Sequence, residues 1–91
     1  MAKSILRQDE GCYLCGRQTG LETHHIMAGM NRKLSEKYGL TVRLCHNCHT
    51  GDHGAQYDKE LNRRLKAEAQ EAFEAIYGHQ KWMEVFRKNY L

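Results

Sequence analysis

The sequence carries two closely spaced cysteine pairs, Cys-Tyr-Leu-Cys at residues 12–15 and Cys-His-Asn-Cys at residues 45–48. Two cysteines separated by two residues can bind one metal ion from a single tight turn. Two such pairs complete a tetrahedral four-thiolate site, which is typical of structural zinc. The spacing therefore predicts one Zn²⁺ ion with four cysteine ligands. These are Cys12, Cys15, Cys45 and Cys48.

The size of the chain explains why such an ion is needed. It has 91 residues, of which only 16 are Leu, Ile, Val or Phe, and its formal net charge is only +3. A domain this small rarely folds on its apolar core alone and is often stabilised by a metal or by disulfides. We expect a single domain over residues 1–91, with a zinc-bound finger over 12–55 and a helical extension over 56–91.

The cysteines also allow other arrangements. Two disulfides would suit a secreted protein, but residues 1–10 contain no apolar signal segment, so we expect a cytoplasmic protein with reduced thiols. No apolar run is long enough to cross a bilayer, so no membrane partner is expected. A second alternative has two zinc ions, each with two cysteines and two histidines. One set would be Cys12, Cys15, His24 and His25, and the other Cys45, Cys48, His49 and His53.

The hydrophobic pattern predicts short elements around the cysteines and helices after them. We expect a strand over 21–26, a helix over 31–38 ended by Gly39, and a strand over 40–44 with Leu40, Val42 and Leu44 on one face. The 3.6-residue pattern predicts a long helix over about 55–77 and a short one over 79–88. The long helix would bury Leu61, Leu65, Ala69, Ala72, Phe73 and Ile76, with Glu68 as the one polar residue on that face. The short helix would bury Trp82, Val85 and Phe86.

Four histidines near the cysteines point to a second metal ion. His49 and His53 are four residues apart, so on a helix they share one face and can bind one ion. His24 lies on a predicted strand that the zinc would hold near the second cysteine pair. Three imidazole ligands would leave open coordination positions, and His25 would remain as a base with a pKa near neutrality. This set of residues is suited to metal-assisted hydrolysis.

The combined pattern resembles a known enzyme family. Cys12-x2-Cys15, His24-His25 and Cys45-x2-Cys48-His49-x3-His53 are similar to the HNH endonucleases, also called His-Me finger or ββα-metal nucleases, in their four-cysteine zinc branch. The small size and residues 31–40 resemble small phage or prophage members. The resemblance implies a small α+β fold, with a zinc-stapled, treble-clef-like ββα-metal finger followed by C-terminal helices.

The resemblance also implies roles for individual residues. His24, His49 and His53 would bind a catalytic divalent ion (Mg²⁺, Mn²⁺ or another transition metal), and His25 would be the general base. The protein would be a metal-dependent DNA endonuclease or nickase that leaves a 5′ phosphate and a 3′ hydroxyl. The position of the family's central asparagine, which generally braces the loop carrying the base, is held by Leu40.

A small basic surface between the cysteine pairs is the expected DNA contact. It consists of Arg32, Lys33, Lys37 and Arg43, whose charges suit phosphate groups. No segment resembles a base-reading module, so we expect weak sequence preference or a protein partner that supplies specificity. The helix over 55–77 has mixed charges, so it is expected to support the finger or a homodimer contact and not to follow phosphates.

Two other functions fit the same sequence. One is a non-catalytic zinc module that binds nucleic acid or protein and retains the HNH shell; Leu40 is the residue that favours it. The other is a structural zinc domain whose C-terminal helices bind a partner. A monomer and a homodimer are both compatible with the pattern.

Overall fold

The computed structural model describes residues 4–6, 10–51, 54–55 and 58–91 of the chain. In these residues two strands and four α-helices form a small α+β fold, as predicted. The strands are β1 (Leu21–His25) and β2 (Thr41–Cys45). The helices are α1 (Arg32–Tyr38), α2 (His46–Thr50), α3 (Lys59–Tyr77) and α4 (His79–Phe86), and a 3-10 turn at Gly29–Asn31 precedes α1.

The two strands form an antiparallel sheet with a register that runs from Leu21 opposite Cys45 to His25 opposite Thr41. Three alternate apolar residues on or next to β2 were predicted to share one face, and all three are buried in the core. They are Leu40, Val42 and Leu44. Arg43, between the last two, is exposed. The register places the His-His pair at one end of the sheet and the second cysteine pair at the other.

Helix α1 ends at the glycine that was predicted to stop it. Gly39 has φ 72° and ψ 33°, and its N–H donates to the carbonyl of Ser35. A left-handed backbone of this kind favours glycine because it has no Cβ. The chain therefore turns sharply into β2 and keeps α1 next to the end of β1.

Helix α3 begins at an aspartate cap and packs through an i, i+4 row. Asp58 accepts a hydrogen bond from the N–H of Leu61 at 3.0 Å, which is a favourable helix start. Leu65, Ala69 and Phe73 are fully buried. The prediction that Ile76 joins them is wrong: it is 57% exposed. The buried row advances by four residues, and Ile76, three residues beyond Phe73, lies beside it.

Helix α4 completes an aromatic core against α3. Trp82 and Phe86 are buried as predicted, whereas Val85 is only partly buried. The rings of Phe73 and Trp82 are 5.4 Å apart in an edge-to-face arrangement, a favourable geometry for aromatic pairs.

The division of the chain into a finger over 12–55 and a helical extension over 56–91 stays a prediction.

No helix in the described part of the chain is both long enough and apolar enough to span a membrane.

Candidate metal centre and histidine groove

The first cysteine pair lies in a tight turn that hydrogen bonds to the sheet. The N–H of Cys12 donates to the carbonyl of Arg17 at 2.8 Å, and the N–H of Gly16 donates to the carbonyl of Cys12 at 2.9 Å. The N–H of Tyr13 donates to the carbonyl of Arg43 on β2 at 2.8 Å. Because β2 ends at Cys45, this bond brings the first pair next to the second.

The four cysteines converge on one point. Their sulfur atoms all lie within 4.8 Å of one another, and the Sγ atoms of Cys15 and Cys45 are 3.6 Å apart. A tetrahedral zinc site with Zn–S bonds of about 2.3 Å has sulfur atoms about 3.8 Å apart. All four cysteines are free and not paired in disulfides. The cluster is thus compatible with one structural zinc, and not with the two separate mixed sites.

The electrostatics of the cluster also fit a cation. Burial opposes ionisation of Cys12, but hydrogen bonds with the backbone of Cys45, Cys15 and Leu14 outweigh it and lower its pKa to about 6. Cys48 behaves in the opposite way, since burial and then the neighbouring sulfur atoms raise its pKa. Four crowded thiols cannot all ionise unless a positive ion compensates their charge. A dication at the centre would supply that charge.

A side-chain bond connects this cluster to helix α3. The hydroxyl of Tyr13 donates to Oε1 of Glu68 at 2.7 Å. Burial, and then this hydrogen bond to Glu68, raises the pKa of Tyr13 to about 12. Oε2 of Glu68 makes no hydrogen bond among the described residues, but the charged Nε of Arg64 is 3.4 Å away. Glu68, the polar residue on an apolar helix face, therefore joins the finger to the C-terminal helices.

The histidines lie around a groove of about 440 Å³, here called the histidine groove, next to the end of β1. Its wall includes His24, His25, Gly29, Arg32, His49 and Asn62. On an ideal strand, adjacent His24 and His25 would point to opposite faces. Both nevertheless line the groove, at the last two positions of β1.

His24 is the buried histidine of this groove. It is only 6% exposed, and its Nε2 has no hydrogen-bond partner among the described residues. Burial, followed by the charges of His49, His25 and Lys66, lowers the pKa of His24 to about 4. The ring is therefore neutral at pH 7, and a buried nitrogen without a partner is suited to binding a metal ion.

His49 faces His24 and is oriented by a carboxylate. The two ring centroids are 5.1 Å apart. Nδ1 of His49 is 2.7 Å from Oε1 of Glu22, and the other oxygen of Glu22 is 3.2 Å from Nδ1 of His46. These hydrogen bonds, with that from His49 the stronger cause, lower the pKa of Glu22. A carboxylate at Nδ1 leaves Nε2 as the nitrogen of His49 that can bind an ion.

His25 is held by helix α1. Its Nε2 lies 3.1 Å from Oε1 of Glu36. The following loop is fixed by Ser35, whose buried hydroxyl accepts from the N–H of Met27 at 2.9 Å and donates to its carbonyl at 2.7 Å. Leu40 is completely buried in the core.

The last predicted histidine ligand, His53, lies outside the described residues. Helix α2 ends at Thr50, and Gly51 is extended, with φ −68° and ψ 174°. Among the described residues, the cysteine cluster is the one set of three or more ligating side chains that converges within 4.8 Å. The three-histidine site stays a prediction.

The predicted DNA-contacting residues lie on two elements. Arg32, Lys33 and Lys37 are exposed on α1, and Arg43 is exposed on β2. Of these, Arg32 lines the histidine groove. Their contact with DNA stays a prediction.

Sequence reasoning missed the acidic residues that orient the histidines. Glu36 is eleven residues from His25, and Glu22 is twenty-seven from His49, so no local pattern relates them. A weak signal existed for Glu68, which interrupts an apolar helix face.

The chain was also compared with known proteins in three ways. No family model, no curated protein and no solved structure gave a significant match.

Proposed function

We propose that this protein is an HNH-type, metal-dependent DNA endonuclease or nickase. The observation that carries the proposal is the histidine groove itself, where His24, His25 and His49 meet beside a four-cysteine cluster. The order β1, α1, β2, α2 supports the treble-clef-like ββα-metal finger that this proposal includes. The proposal includes a reducing compartment such as the cytoplasm, because zinc requires thiolates.

Two metal ions have different tasks in this proposal. The cysteine cluster binds zinc and stabilises the fold. His24, His49 and His53 would hold a catalytic divalent ion. Nε2 of His24, which has no hydrogen-bond partner among the described residues, and the ring of His49 oriented by Glu22 suit that task. When bound, this ion supplies positive charge that stabilises the phosphate group in the transition state.

His25 acts as the general base. Its contact with Glu36 at Nε2 leaves Nδ1 to accept the proton of the attacking water. The water oxygen forms the new bond to phosphorus as the bond between phosphorus and the 3′ oxygen breaks. The released 3′ oxygen takes a proton from solvent water, which leaves a 5′ phosphate and a 3′ hydroxyl. Arg32, on the wall of the groove, attracts the phosphate backbone.

A non-catalytic zinc module that binds nucleic acid or protein is the second candidate. The fully buried Leu40 at the position of the family's asparagine is the observation that favours it. The two hydrogen bonds between Ser35 and Met27 weigh against it, because they hold the loop after His25 without that asparagine.

A plasmid-relaxation assay tests the proposal. The zinc-loaded protein is incubated with supercoiled DNA and Mg²⁺, Mn²⁺ or no added ion. We expect nicking that requires the added ion, that is lost in His25→Ala and His49→Ala, and that persists in the control His79→Ala. His79 is an exposed histidine on α4 that pairs with Glu74.

The zinc content and circular dichroism of every variant must match those of the wild type. Activity loss with retained zinc supports the assigned roles. Absence of nicking with every ion, in protein that holds its zinc and binds DNA, overturns the enzyme and favours the binding module. Nicking that His25→Ala leaves unchanged overturns the role of the base.

A further inference from the structure

The C-terminal helices carry a cluster of two lysines on one aromatic ring. The ammonium nitrogens of Lys66 and Lys88 lie 5.6 Å and 5.4 Å from the centroid of Tyr90. Both distances are within the range of cation–π attraction. Lys66 comes from α3 and Lys88 from the segment after α4, so tertiary packing alone brings the two charges together.

Buried hydrogen bonds fix this cluster. Gln70 is completely buried; its Oε1 accepts from the N–H of Tyr90 at 2.7 Å, and its Nε2 donates to Oδ1 of Asn89 at 2.7 Å. The indole N–H of Trp82 donates to the carbonyl of Lys88 at 2.8 Å. The last residues of the chain are therefore anchored to α3 and α4, which fixes the backbone that carries Lys88 and Tyr90.

The two positive charges have no anionic partner within the part of the chain that the structure describes, since no carboxylate lies within 4.0 Å of either nitrogen. Burial, and then the neighbouring charge of Lys88, lowers the pKa of Lys66. The two like charges repel each other, and an anion bound between them would reduce that repulsion. The cluster is thus suited to an external anion.

The position of the cluster relates it to the histidine groove. Asn62 lines that groove, and Lys66 is one helical turn further along α3, on the same face. Lys66 is also near enough for its charge to act on His24. The groove thus has Arg32 on its α1 wall and Asn62 on α3, and the lysine cluster begins one helical turn beyond Asn62.

We propose that Lys66, Tyr90 and Lys88 form a binding surface for the phosphate backbone of DNA, continuous with the histidine groove. Lysine ammonium groups contact phosphates as point charges and need no paired geometry. This inference rests on the proposed function, since it concerns the same substrate. It also revises the expectation that the long helix takes no part in phosphate binding.

Salt-dependent DNA binding tests this surface. A short fluorescent duplex is titrated with the full-length, zinc-loaded protein by anisotropy, without added catalytic ion, at several salt concentrations. Each phosphate contact contributes about 0.9 to the slope of log affinity against log salt. We expect Lys66→Met and Lys88→Met each to weaken binding and to reduce that slope by about one.

Matched variants distinguish an effect of this binding surface from a general effect of charge and from a loss of folding. Lys81→Met removes an exposed lysine of α4 and should leave affinity and slope nearly unchanged. Tyr90→Phe keeps the ring and should bind like the wild type, whereas Tyr90→Leu removes the ring and should weaken binding. Zinc content and the thermal unfolding midpoint confirm that each variant is folded.

The outcomes distinguish this inference from the nuclease proposal. A smaller slope for both lysine variants supports the surface even if no nicking is ever seen. If both lysine variants bind the duplex and nick DNA like the wild type, the proposed binding surface is wrong and the nuclease proposal is unaffected. A wild-type protein that binds an acidic peptide but no duplex overturns both.

Discussion

His25 and Glu36 are joined by a hydrogen bond between Nε2 and Oε1, 3.1 Å long, across the gap between β1 and α1. The histidine side chain is 14% exposed and that of the glutamate 42%. An ionised carboxylate can only accept a hydrogen bond. A neutral His25 ring must therefore carry its proton on Nε2, which leaves the lone pair on Nδ1. Glu36 on α1 thus favours the tautomer that the proposed role of His25 as a base requires.

Glu36→Gln should therefore reduce nicking more than the loss of one charge explains. An amide can donate to Nε2 and favour the opposite tautomer, in which Nδ1 carries the proton. We expect kcat to fall by at least about tenfold with little change in KM. Glu71→Gln, an exposed change on α3, is the control and should be silent.

Nitrogen NMR of the His25 ring checks the same prediction without catalysis. The wild type should show a protonated Nε2, and Glu36→Gln should shift the population toward protonated Nδ1. Identical ring signals in the two proteins would contradict a positioning role for Glu36.

Removal of zinc should unfold the chain. A structural zinc site contributes on the order of 10 kcal/mol of apparent binding free energy in small domains. Cys45→Ser deletes a buried ligand and leaves three thiols without their ion, so we expect loss of bound zinc and of the helical circular dichroism signal. His46→Ala changes the neighbouring residue, whose side chain is 71% exposed, and should retain zinc.

Chelation tests the same site in the wild type. A strong chelator should abolish the thermal unfolding transition, and addition of zinc should restore it. A protein that stays folded with no metal would show that the cysteine cluster is not needed for stability.

Tyr13→Phe should weaken the connection between the finger and α3. The change removes the donor to Glu68 and leaves a partly buried carboxylate oxygen without its partner. We expect a loss of about 1–2 kcal/mol in the free energy of unfolding in urea. Tyr77→Phe, at a half-exposed tyrosine, is the control and should cost much less.

The same bond predicts a pH dependence at alkaline pH. The pKa of Tyr13 is raised from an unfolded value of about 10 to about 12. Its stabilising contribution is thus fully present below about pH 10 and is lost as pH rises through about 12. The stability difference between wild type and Tyr13→Phe should shrink over that interval. A constant difference would rule out the bond as its origin.

Ser35→Ala should loosen the loop that follows the histidine pair. The substitution leaves the N–H and the carbonyl of Met27 without their partner in a buried site. We expect a loss of about 1–3 kcal/mol in unfolding free energy and faster amide exchange at Met27. Thr19→Ala, at an exposed turn residue, provides the comparison. Unchanged amide exchange at Met27 would show that Ser35 does not stabilise this loop.

Features that depend on local spacing were predictable from the sequence. The spacing of the two cysteine pairs predicted the four-cysteine cluster, because two residues between ligands let both sulfur atoms of a pair face one point from a tight turn. The alternation of Leu40, Val42 and Leu44 identified the buried face of β2. Gly39 identified the end of α1, because its left-handed backbone favours glycine. The exposed Ile76 shows the limit of such patterns, which do not specify where a neighbouring helix packs.

The contacts that orient the site join residues far apart in the chain. Tyr13 and Glu68 are separated by 55 positions. Lys66 and Lys88 lie over the same ring because Gln70 and Trp82 anchor the last residues of the chain. No periodicity relates such pairs, since each depends on how rigid elements pack against one another. Residue identity and spacing were enough for the metal ligands and the strands. The partners of His25, His49 and Tyr90 became visible only in the folded chain, because packing and not proximity in sequence creates them.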